Sequence, residues 1–185
     1  TRSGRVTGVQ TCALPIYGGQ VGMEVRKTSP YDEGNIRVSS SEIRRLLQEG
    51  KVEMANALLT YPYQLRGRIV SGYKVGRTIG FPTANIEVDS PYKLLPKVGV
   101  YAVWVELLGM RYKGMLYIGK RPTLQNGDNL TIEVNILGFS GNAYNDEITV
   151  SFVYAVREDK TFESVEALRE QLERDRQTVD KLLVE

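Results

Sequence analysis

Gly99-Val100-Tyr101-Ala102-Val103-Trp104-Val105-Glu106-Leu107-Leu108 alternates strictly, and its reading decides the fold. Tyr101, Val103, Val105 and Leu107 face one way, and Ala102, Trp104 and Glu106 the other, the period of two expected of a strand. Two further stretches repeat the pattern. Residues 131–137 set Ile132, Val134 and Ile136 against Thr131, Glu133 and Asn135, and residues 147–156 align Ile148, Val150, Phe152, Tyr154 and Val156. Gly109, Asn126-Gly127 and Gly141-Asn142 mark the turns. Strands at close spacing with no helices between them pair antiparallel, so a mainly β sandwich or small closed barrel is expected.

Helical periodicity flanks this region. Ser39-Ser40-Ser41 precede a run in which Ile43, Leu46 and Leu47 share a face, and Gly50 ends it. A second short helix over residues 52–59 is expected to align Met54, Ala55, Leu58 and Leu59, before Tyr61-Pro62 stops it. Beyond Lys160 the period returns to helical. Val165, Leu168, Leu172, Val179 and Leu182 form a stripe, with Thr161 or Ser164 as the cap.

Composition narrows the chemistry. The 185 residues are 42% hydrophobic and 25% charged, enough for a packed core. Lysine plus arginine number 24 against 22 acidic residues, so no basic excess points to nucleic acid or a membrane surface. No apolar run reaches the length of a bilayer span. The absence of histidine removes Ser-His-Asp and Cys-His nucleophile systems and the common His-rich zinc sites. One cysteine, Cys12, cannot form an internal disulfide, and a reducing cytoplasmic location is compatible with that. Residues 1–16 lack a signal-peptide h-region, and within them Val6 to Ile16 read as the in-frame translation of a sequencing adapter, a natural disordered leader being the alternative.

Gly72-Tyr73-Lys74-Val75-Gly76-Arg77-Thr78-Ile79-Gly80-Phe81-Pro82-Thr83-Ala84-Asn85 is the most unusual segment. Glycines every four residues let backbone amides approach a phosphate, with Lys74 and Arg77 adding positive charge. Thr83 and Asn85 offer neutral oxygens suited to a hard cation such as magnesium. It is not a Walker loop, since no Gly-Lys-Ser/Thr follows, and an ordinary loop between strands has the same composition. Glu133, on the polar face of its strand, is placed to accept a hydroxyl proton; a solvated surface glutamate fits the same pattern. Asp175 interrupts the apolar stripe of the last helix and needs a partner: a backbone amide, an arginine or a ligand hydroxyl. Tyr144 and Phe162, at element margins, offer faces for a flat ring or simply edge the core.

Gly76-Arg77-Thr78-Ile79-Gly80-Phe81-Pro82-Thr83-Ala84-Asn85 resembles the signature of riboflavin kinases. Ile118-Gly119-Lys120-Arg121-Pro122-Thr123 resembles their second loop and Thr131-Ile132-Glu133-Val134 their catalytic strand. Ser39-Ser40-Ser41-Glu42-Ile43-Arg44 resembles the closing motif of the adenylyltransferase half of bacterial bifunctional riboflavin kinase/FAD synthetases. The resemblance implies an antiparallel Greek-key β-barrel with a C-terminal helix that phosphorylates riboflavin to FMN with ATP and Mg2+, small-molecule substrates only. With residues 1–16 read as foreign, it implies two further segments, 17–62 an adenylyltransferase remnant and 63–185 the kinase domain. By position, Glu133 would be the base and Thr83 and Asn85 would hold magnesium. Gly72, Lys74, Gly76, Arg77, Gly80 and Thr83 would hold ATP. Tyr144, Arg157, Phe162 and Asp175 would lie on the flavin side.

Four positions depart from the family pattern. Asn135 stands where histidine is usual and Asn145 where glycine is common, and Leu59-Thr60-Tyr61-Pro62-Tyr63 replaces Leu-Gly-Arg-Pro-Tyr. The adenylyltransferase half requires a histidine-containing nucleotide motif, so with no histidine the chain is not expected to make FAD.

Overall fold

The computed structural model describes residues 32–33, 36–71, 76, 79–120 and 130–184. The Asn126-Gly127 turn, residues 1–16, and Gly72, Lys74 and Arg77 lie outside the described residues. The chain divides into two compact units, Thr1–Val38 and Ser39–Glu185. In the first, β1 (Asp32–Glu33) pairs antiparallel with β2 (Ile36–Arg37).

The second unit opens with α1 (Ser40–Gln48). The Ser39 hydroxyl accepts the Glu42 N–H at 3.2 Å, satisfying one of the free donors of the first turn. Gly50 takes φ +79°, a left-handed conformation that lets the chain leave the helix without a Cβ clash. Helix α2 (Val52–Leu59) follows and buries Val52, Ala55 and Leu58. Met54, expected on that stripe, is exposed, because the face that meets β8 starts at Val52 rather than at Met54.

Six strands then close a barrel: β3 (Gln64–Val70), β4 (Ala84–Val88), β5 (Gly99–Leu107), β6 (Met110–Lys120), β7 (Leu130–Ile136) and β8 (Glu147–Glu158), in the order β3-β4-β7-β6-β5-β8. Every pairing is antiparallel. Strands β5, β6 and β7 run as successive neighbours and β8 returns beside β5, the Greek-key order. Leu108 and Gly109 both carry positive φ in the two-residue turn between β5 and β6, which matches the strand twist.

The alternation seen in the sequence sorts the residues between two cores. Leu65, Val103, Val105, Leu107, Leu116, Ile118, Val134, Ile148, Val150 and Phe152 fill the barrel, each at most 2% exposed. The opposite face of β5 is buried as well. Val100, Ala102 and Trp104 join Met115, Phe81, Val179 and Leu183 in a second cluster outside the barrel, beneath α3 (Val165–Leu182). That helix starts at Ser164, whose hydroxyl accepts the Ala167 N–H at 3.1 Å, so Ser164 rather than Thr161 is the cap. Its buried stripe is also rotated from expectation: Leu168, Leu172, Asp175, Val179 and Leu183 face the sheet, while Val165 and Leu182 face outward.

Strand β8 departs from strict alternation. Its register against β5 slips between Phe152 and Tyr154 and again between Ala155 and Arg157. The first slip moves Tyr154 off the inner face shared by Ile148, Val150 and Phe152, and Val153, Tyr154 and Val156 pack toward the outer cluster instead. The second returns Arg157 to that outer face, opposite Val100.

Candidate active site

The outer face of β7 carries the chemistry. Ile132, Val134 and Ile136 point into the barrel, so the pleat sends Glu133 and Asn135 outward. Glu133 lies opposite Asn85 of β4 on one side and Tyr117 of β6 on the other. Thr83, two residues before Asn85, donates its hydroxyl proton to Glu133 Oε2 at 3.1 Å. Asn135, buried, donates from Nδ2 to the Pro82 carbonyl at 2.7 Å and so pins the chain just before Thr83.

Gly76 explains how the loop reaches this cluster. The Phe81 N–H donates to the Gly76 carbonyl at 2.8 Å, and a Cβ on Gly76 would stand 2.2 Å from the Phe81 carbonyl oxygen. Only a residue without a side chain allows that approach. Gly80, at φ +84°, is exposed beside the loop.

A cavity of about 330 Å³ lies between the sheet and α3, lined by Gly76, Phe81, Val100, Met115, Leu168 and Leu172 together with Thr83, Tyr117, Glu133, Arg157, Asp159 and Phe162. Mostly apolar walls with a few converging polar groups are the usual makeup of a ligand pocket. The polar groups there are tied down. Arg157 Nε donates to Asp175 Oδ2 at 2.8 Å, and Gln171 Nε2 donates to Asp175 Oδ1 at the same distance, so both oxygens of this buried carboxylate are satisfied. The Arg157 guanidinium lies 5.7 Å from the Phe162 ring centre, as does the Lys160 ammonium. Tyr117 donates its phenol proton to Asp159 Oδ1 at 3.1 Å; burial and then the Asp159 charge push its pKa up to about 12.

A second, more open groove of about 660 Å³ adjoins it. Thr83, Asn85, Ser140, Asn142 and Tyr144 contribute to its lining. Thr83 faces both spaces, so the two meet at the Thr83–Glu133 hydrogen bond.

The structure therefore brings together Gly76, Thr83, Glu133, Arg157, Phe162 and Asp175, with Asn85 adjacent across the ladder. Tyr144 stands apart from the other three residues assigned to the flavin side and lines the open groove instead. Tyr117 and Asp159 were missed by sequence reasoning. Alternation along β6 could have placed Tyr117 beside Met115 on the outer face, but nothing local marks Asp159 as its partner. Among the described residues no group of three or more His, Cys, Asp or Glu side chains forms a cation cage.

The family model for riboflavin kinase (Flavokinase) matches residues 59–183. The chain belongs to the riboflavin kinase family. A bifunctional riboflavin kinase/FMN adenylyltransferase from Listeria monocytogenes is 45% identical over 141 residues, covering 76% of this chain and 45% of that protein. The Bacillus subtilis protein of the same description is 38% identical, over 86% of this chain and 55% of its own length. The chain spans about half the length of these curated relatives. A solved Streptococcus pneumoniae chain described as a macrolide-efflux protein superposes with a TM-score of 0.79 at 34% identity, over 86% of this chain and 52% of the other.

Proposed function

We propose that the chain transfers the γ-phosphoryl group of ATP to the ribityl 5′-hydroxyl of riboflavin, giving FMN and ADP. Membership of the riboflavin kinase family supports the reaction class. The single observation that carries the residue roles is the Thr83–Glu133 hydrogen bond at the junction of an apolar cavity and a more open groove of mixed lining. In this reading the isoalloxazine ring enters the cavity beside Phe162, and the nucleotide lies along the groove past Tyr144, Asn85 and Thr83.

Phosphoryl transfer asks a protein for alignment and charge neutralisation more than for covalent help. Glu133, on a rigid strand, accepts the proton as the 5′-oxygen bonds to the γ-phosphorus. The bond from that phosphorus to the bridging oxygen breaks, and ADP leaves with the electron pair. Arg157, oriented by Asp175, presents a flat cation to the ring system.

The donor set fits magnesium. With its proton committed to Glu133, Thr83 Oγ1 keeps lone pairs for a cation, and Asn85 adds an amide oxygen from the neighbouring β4 position. Magnesium typically keeps several waters and takes one or two protein oxygens plus substrate phosphates, so no acidic cage is required. Thr83 and Asn85 would hold it, and it would supply positive charge to offset the charge developing on the phosphates.

Incubation of the full chain with riboflavin, ATP and magnesium, followed by chromatography, tests the proposal. FMN should accumulate in step with ADP, and chelation should stop it. Riboflavin binding without FMN would leave a flavin-binding module instead. FMN is expected to be the end product. Conversion of FMN and ATP to FAD would contradict the inference drawn from the absence of histidine.

A further inference from the structure

Among the described residues, no strand pairs with the far half of β8 on the side away from β5. Strand β3 pairs with it only from Glu147 to Ser151, and beyond that point the two register slips against β5 disturb the ladder on its other side. Unpaired backbone groups in such a segment need other partners. Helix α2 supplies them from two side chains one turn apart. Glu53 Oε1 accepts the Ala155 N–H at 3.0 Å, and Asn56 Nδ2 donates to the Phe152 carbonyl at 2.8 Å. Asn56 Oδ1 also accepts the Tyr63 N–H at 2.7 Å, and the Tyr63 carbonyl accepts the Phe152 N–H at 2.8 Å. The helix thus stands in for a strand along the kinked part of β8.

Ala155 sits between the two slips, two residues before Arg157, whose guanidinium enters the cavity that holds Glu133. We infer that Glu53 is a positioning residue for that cavity: by holding the Ala155 N–H it sets the path of β8 that delivers Arg157. Glu53 lies outside the residues matched by the family model and is absent from the lining of the cavity itself. The inference rests on reading the cavity as the riboflavin slot.

Two variants of the full chain test it. Glu53→Ala removes the acceptor, while Glu53→Gln keeps an oxygen that can still accept the N–H. Hydrogen exchange of residues 152–158, measured without ligand, should speed up in Glu53→Ala and not in Glu53→Gln. In Glu53→Ala the KM for riboflavin should rise about fivefold, the size of one lost hydrogen bond, with the KM for ATP unchanged. Glu53→Gln should restore the wild-type value. Wild-type exchange in Glu53→Ala, an equal rise in both KM values, or failure of Glu53→Gln to rescue would each overturn the inference. If the wild-type chain makes no FMN, the kinase reading falls by itself. Riboflavin Kd from flavin fluorescence quenching then replaces KM, and an unchanged Kd in Glu53→Ala overturns the role of Glu53.

Discussion

The two faces of the barrel wall are built from the same strands and have opposite characters. Inside, Val103, Val105, Leu116, Val134, Val150 and Phe152 form a buried apolar packing, with the Tyr101 phenol at its margin. Outside, under α3, apolar residues such as Val100, Ala102 and Met115 are interleaved with Glu133, Asn135, Arg157 and Asp175, every one of which has a named partner or faces the cavity. A close-packed interior stores stability but cannot admit substrate. A face covered by a single helix can combine rigidity with access. The comparison separates what holds the molecule together from what it does.

The largest expected effect breaks the inner face. Phe152→Ala removes a fully buried ring and should cost about 3–5 kcal/mol of stability, read from the urea midpoint. Any remaining folded protein should keep its KM for riboflavin. On the outer face the signature should invert. Glu133→Gln should lower kcat by about 10²–10⁴-fold with the urea midpoint unchanged, and wild-type turnover would remove Glu133 from the base role. Thr83→Ala should weaken magnesium-dependent ATP binding about tenfold in a calorimetric titration, by loss of one charge-assisted contact.

Smaller effects sharpen the contrast. Thr60, a β-branched residue at φ +67°, occupies a position where the family pattern has glycine, and Asn145 at φ +71° is a second such position. Thr60→Gly should raise stability by about 1 kcal/mol through relief of left-handed strain, with kinetics untouched on both faces. The last expectation concerns pH. Tyr117 on the outer face and Tyr101 on the inner face both have phenols pushed from 10.0 up to about 12, chiefly by burial. The folded state therefore holds these protons longer than the unfolded chain. Their contribution is complete below the unfolded value of 10.0 and is lost as pH rises through about 12. Tyr117→Phe should shallow that alkaline loss in urea titrations, and an unchanged slope would mean that the phenol titrates alike in both states.

Much of this was legible in the chain. The period-two pattern of residues 99–108 and 131–137 assigned inner and outer faces because a pleated strand leaves side chains no other choice. The Gly76-to-Asn85 motif marked the loop because a close backbone approach, here Gly76 against the Phe81 carbonyl, excludes other residues. Strict alternation failed at Tyr154 and Val156, since a bulge depends on how β5 and β8 meet and leaves no local mark. It failed in degree at Ala102 and Trp104, whose burial requires a helix that begins some sixty residues later, at Val165. Asp175 was visible as a misfit on an apolar stripe, but which of three partners satisfied it was not.

The amino-acid order alone determined the family, the mainly antiparallel strands and the presence of Glu133, Thr83 and Asn85, because local periodicity and a glycine-dependent motif are properties of neighbours in the chain. Tertiary structure alone decided that Thr83 bonds Glu133, that Asp175 meets Arg157, that Tyr144 lines the open groove rather than the cavity, and that Glu53 reaches Ala155. Each of these contacts joins or sorts residues from separate elements, and only closure of the barrel and docking of its helices bring those elements within hydrogen-bonding distance.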